Sequence, residues 1–78
     1  MRDELARAFQ LVIADQDAPA LKWAVNYAKV GLGMILIEVD DEVLRTQILY
    51  LLSNISRWRG EGNKEARDIF KKYIKLTK

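Results

Sequence analysis

Met34-Ile-Leu-Ile-Glu-Val39 is the stretch on which the fold turns. Its length and its aliphatic, β-branched content suit a strand, yet no other segment of the 78 residues reads as a strand that could pair with it. A lone strand leaves its backbone N–H and C=O groups without partners. Residues 34–39 are therefore an apolar connector packed on helices, an extension of a neighbouring helix, or a strand that pairs with its copy in a second chain. The first two readings make the chain all-α, and that is the expectation.

Upstream, Gly31 and Gly33 read as the end of a second helix over residues 18–30, because glycine is costly inside a helix and inexpensive just beyond one. Asp17 is placed to cap that helix, and Pro19 falls in its first turn. It carries two apolar stripes, Leu21/Ala24/Val25/Ala28 and Trp23/Tyr27/Val30. The first helix spans residues 2–14 and presents Leu5, Phe9, Val12 and Ile13 on one face, with Asp3 and Glu4 near its positive end.

Downstream, Asp40 is a good N-cap for a third helix over residues 41–59 that Gly60 would end. Leu44, Ile48, Leu51, Leu52 and Ile55 form its apolar face, which makes it the expected centre of the core. A short turn, Gly60-Glu-Gly-Asn63, with Asn63 as cap, leads into a fourth helix over residues 64–76 with Ala66, Ile69, Phe70, Tyr73 and Ile74 on one face. The result is a single helical domain, residues 1–78: an all-α bundle of four helices, with 34–39 as its ambiguous connector.

The chain has no cysteine and no histidine. Disulfides, thiolate and imidazole metal sites, catalytic thiols and the usual near-neutral proton shuttle are thereby excluded. Ser53, Ser56 and Thr46 have no histidine to act as base, so no catalytic residues are assigned and the chain is read as a non-enzyme. Asp15/Asp17 and Asp40/Asp41/Glu42 are clustered carboxylates, but both clusters fall at helix starts, where acids serve as caps, and no metal ligands or cofactors are assigned. Gly31-Leu-Gly33 closes a helix rather than opening one and is no phosphate loop.

Formal net charge is only +2, but its distribution is uneven. Residues 1–42 hold four bases and eight acids, and residues 43–78 hold nine bases and three acids. The imbalance becomes either an acidic face opposite a basic one or a set of ion pairs between the halves. Arg57, Arg59, Lys64, Arg67, Lys71, Lys72 and Lys75, with Trp58 among them, are the candidate contacts for a nucleic-acid partner. The short connection before the last helix suits a helix-turn-helix, although a preceding helix of nearly twenty residues is long for one.

A second group mixes amides and aromatics: Trp23, Tyr27, Gln47, Tyr50, Asn54 and Trp58 are the candidate protein interface. Half of the residues are hydrophobic, more than a core this thin can hide, which favours a homodimer. The opening residues lack the apolar stretch of a secretory signal, and the longest apolar run, Val30 to Ile37, is too short to span a bilayer. The expectation is a cytoplasmic, non-catalytic interaction module that self-associates and docks a protein partner. The alternative is a nucleic-acid-binding or regulatory protein that uses its basic C-terminal half.

Overall fold

The computed structural model describes residues 1–77. Four helices follow one another, α1 (Arg2–Ala14), α2 (Ala24–Leu36), α3 (Asp41–Ser53) and α4 (Asn63–Leu76), with a 3-10 turn at Pro19–Leu21 before α2 and no strand among the described residues. The body measures 31 × 21 × 19 Å. α1 packs on α2 and α4, and α3 closes the bundle against the same two helices. The most extensive packing belongs to α1 and not to α3, correcting the expectation from apolar periodicity.

The core is one cluster that includes Leu5, Phe9, Leu21, Leu44, Ile48 and Phe70, all fully buried. Phe9 and Phe70 meet there with ring centroids 5.3 Å apart, tilted by 44°, a geometry in which edge and face contacts add to the burial term.

The deciding stretch splits in two. α2 starts later than the pattern suggests and runs through both glycines to Leu36, so residues 34–36 are helix and 37–40 the turn into α3. Gly31 is buried against Phe9, so close that a Cβ there would stand 2.5 Å from Cζ of the ring. That approach, with Leu32 and Ile35 packed on the core, offsets a helix-propensity cost of about 1 kcal/mol per glycine. Gly31 is a packing device, not punctuation, whereas Gly33 has open space where a Cβ would stand.

α2 ends with a Schellman motif: Val39 N–H donates to Met34 O and Glu38 N–H to Ile35 O. The left-handed residue is Glu38, at φ 55°, where glycine is the usual occupant. Asp17 does not cap α2; Ala18 precedes the 3-10 turn and Pro19 occupies its first position, while Trp23 stands at the N-cap of α2. Asp40 holds the N-cap place of α3 in extended conformation but makes no side-chain cap bond.

α3 stops at Ser53, six residues before the expected end at Arg59, and residues 54–62 are irregular. Ser53 Oγ and Asn54 Nδ2 both donate to the Tyr50 carbonyl, diverting the last turn from helical bonding. Ile55 and Trp58 then turn inward and are buried. Trp58 Nε1 donates to Asp15 Oδ2 at the end of α1 (2.6 Å), and Asn63 Nδ2 donates to Trp58 O (2.7 Å). Asn63 is thus the first residue of α4, with Gly62 at the N-cap. A nine-residue irregular connection does not form the tight turn of a helix-turn-helix.

At the opposite end the chain is stitched by one network. The Arg2 guanidinium donates to Val39 O (2.6 Å) and Asp41 Oδ1 (3.0 Å), and Tyr73 Oη donates to the same Asp41 oxygen (2.7 Å). This ties α1, the α2–α3 turn and α4 together. Among the described residues, no helix is long and apolar enough to cross a membrane.

Candidate functional site

The two apolar stripes of the second helix separate as their spacing demands. Leu21, Ala24, Val25 and Ala28 are buried, whereas Trp23 is 63% exposed and Val30 52%. On α3, Val43 and Tyr50 are also exposed. Residues 23, 27, 30 and 34 recur at helical spacing along one flank of α2, and 43, 47, 50 and 54 along one flank of α3. The Tyr27 and Tyr50 rings stack across the seam, centroids 6.1 Å apart and 22° from parallel. None of these eight positions carries a charge.

Both amides of this face are spent on backbone. Gln47, almost fully buried, donates from Nε2 to Tyr27 O (2.9 Å) and so locks the register of α2 on α3. Asn54 Nδ2 donates to Tyr50 O (2.8 Å) and helps to end the helix. The exposed surface is consequently aromatic and aliphatic. Lys22 Nζ lies 5.4 Å from the Trp23 ring and borders the face with a cation–π contact.

Trp58 does not join this group: it is 3% exposed and bonded to Asp15 in the core. Five of the six candidate interface residues are therefore brought onto the α2–α3 face. The extra members, Val30 and Val43, were legible as stripe positions once α2 and α3 are neighbours.

The basic residues sort by helical phase. Lys64, Arg67, Lys71 and Lys75 fall at i, i+3, i+7 and i+11 of α4 and form one stripe. Lys72 lies on the other side, where its Nζ approaches Glu4 at 3.9 Å, and Arg7 of α1 donates to Glu65 on that same side. Arg57 and Arg59 sit on the irregular segment rather than on the end of a helix. Arg59, Lys64 and Arg67, with Glu61, line an open cleft of about 380 Å³ at the start of α4. Of the ion pairs among the described residues, Lys72–Glu4 alone joins a base of the C-terminal half to an acid of the N-terminal half.

Arg45 is a basic residue the pattern did not single out. Its Nε is buried without a hydrogen-bond partner among the described residues. A single arginine on a helix gives no sequence signal for that placement.

Asp15, Asp41 and Glu65 are each engaged by a side chain of another element. Asp15 serves Trp58. Asp41 accepts from Tyr73 and Arg2, which hold its carboxyl below the usual carboxylate range. Burial, and then the bond to Asp41, push the Tyr73 hydroxyl up to about 12. Glu65 is lowered by its bond from Arg7. Among the described residues no group of three or more acids converges as a metal site.

Comparison with protein families, with characterised proteins and with solved structures finds no match to this chain.

Proposed function

We propose that this protein is a non-catalytic interaction module that self-associates through the α2–α3 face. One observation carries the reading: Trp23, Tyr27, Val30, Val43 and Tyr50, all uncharged, share a face whose one neighbouring cation is Lys22 at the Trp23 ring, on a chain in which 31% of residues are charged. Depletion of charge with enrichment of aromatics marks the centre of protein interfaces.

The occupant that fits is a second copy. Two 13-residue helices side by side make a face ~20 Å long and ~20 Å across, ~400 Å² in projection, which is below the ~800 Å² per partner of a standard interface and fits a weak, concentration-dependent dimer. A two-fold pairing sets neutral aromatic surface against itself, with the Lys22 ammonium at its edge. Gln47 bonding to Tyr27 O keeps that surface rigid, which lowers the ordering cost of association.

The test is iodide quenching of tryptophan as protein concentration rises. Trp58 is already buried, so the change reports on Trp23. Protection that grows with concentration in the wild type, and is absent in Tyr50→Lys and in Val43→Lys with their helical circular dichroism unchanged, supports the reading. Quenching that is independent of concentration up to several hundred micromolar removes it.

A further inference from the structure

We infer that the stripe Lys64, Arg67, Lys71 and Lys75, headed by Arg59, is a binding track for the phosphate backbone of duplex nucleic acid. The track lies on α4, apart from the α2–α3 face, so it and self-association stand or fall independently.

The four α4 side chains lie within a twelve-residue stretch of helix, 64–75, eleven rises of about 1.5 Å or ~16.5 Å of axis. Successive cations come every ~4.5 to ~6 Å along that axis. Duplex DNA offers one phosphate per ~3.4 Å of axis on each strand, a denser repeat than that of the cations, so phosphates outnumber the charges along the track. None of the four forms an ion pair among the described residues, whereas Lys72, outside the stripe, approaches Glu4. Arg59 reaches the head of the track from the irregular segment, where it shares the cleft with Lys64 and Arg67. Two acids stand among these bases, Glu61 in the cleft and Asp68 on the same side of α4, four residues after Lys64 and three before Lys71, where it opposes a phosphate and lowers the field of the stripe.

Two further observations select the ligand. The apolar face of α4, Ala66, Phe70 and Tyr73, is spent in the core, so apart from Leu76 at its last position the helix has no apolar face to insert into a lipid surface. Trp58, the aromatic among these bases, is buried and bonded to Asp15. It cannot stack on an unpaired base, which favours the duplex backbone over a single strand.

The test is fluorescence anisotropy of a labelled 20-base-pair DNA duplex titrated with the full chain between ~50 and ~200 mM salt. Five phosphate contacts predict a slope of log K on log salt near about −4.5. The double variant Lys71→Gln/Lys75→Gln, both sites exposed, is expected to bring the slope to about −2.7 and to weaken binding about tenfold or more at the lower salt. Lys72→Gln is expected to leave both unchanged. No binding at ~50 mM salt overturns the assignment. So does equal weakening by Lys72→Gln, which means net charge and not the track, and so does tighter binding to the single strand or to poly-glutamate.

Discussion

Gly31 and Phe9 stand ring to backbone: the Phe9 ring lies where the Cβ of any other residue at position 31 would be, with three ring carbons inside 3 Å of it. Phe9 is fully buried and has no room to swing away. Gly31→Ala is therefore expected to destabilise the fold by about 1–2 kcal/mol, overpacking outweighing the gain in helix propensity. Gly33, two residues on in the same helix, has nothing within 4 Å of its Cβ position. There Gly33→Ala is expected to stabilise by up to about 1 kcal/mol. Thermal melts of the two variants should move in opposite directions, by about 4–8 °C per kcal/mol in a domain of this size.

Glu38 occupies a left-handed position that costs a residue with a Cβ about 1 kcal/mol. Its side chain is exposed. Glu38→Gly is expected to raise the urea midpoint by an amount equivalent to about 0.5–1 kcal/mol without changing the slope. A lower midpoint would show that the α2–α3 turn needs the carboxylate.

The bond from Trp58 to Asp15 joins the irregular 54–62 segment to α1. Asp15→Ala leaves the indole N–H buried and unpaired, at a cost of about 1–3 kcal/mol, whereas Asp15→Asn, which retains an acceptor, is expected to lose less. Gly60 belongs to the same arrangement, because a Cβ there would collide with the Asp15 carboxylate and the Trp58 ring nitrogen. Chemical denaturation of the two variants followed by tryptophan emission distinguishes this from a loop held by packing alone, in which case Asp15→Ala would be neutral.

Stability is expected to depend on pH at both extremes. Asp41 and Glu65 have lowered folded-state values, so their contribution is present above the ordinary carboxylate range near ~4 and is lost as pH falls below it. Tyr73 is raised to about 12, so its contribution is present below the phenol's ordinary value of ~10 and is lost as pH rises from there toward about 12. Glu65→Gln should flatten the acid limb and Tyr73→Phe the alkaline one. An alkaline limb unchanged in Tyr73→Phe would place its cause elsewhere.

How much of this was legible beforehand differs from element to element. The all-α class followed from the absence of a partner for residues 34–39, and the buried faces of α1 and α4 followed from periodicity. The extent of α2 did not, because a glycine that ends a helix and a glycine that admits a crossing ring look alike until Phe9 is known to lie opposite Gly31. The early end of α3 was hidden for a related reason. Ile55 and Trp58 continue an apolar helical pattern, yet they are buried from irregular backbone, held by the long-range bond from Trp58 to Asp15. The same bond removed Trp58 from the candidate interface. Its five companions come together because Gln47 finds the Tyr27 carbonyl, a pairing 20 residues apart that local spacing cannot reveal.

The central claim, self-association through the aromatic α2–α3 face, is tested most directly by sedimentation velocity from ~1 to ~500 μM for the wild type and for Tyr50→Lys. A concentration-dependent shift in the wild type from 9.0 kDa toward twice that mass, abolished in the variant, is the predicted result. A wild-type protein that stays at 9.0 kDa throughout, or a dimer that Tyr50→Lys leaves intact, would contradict it.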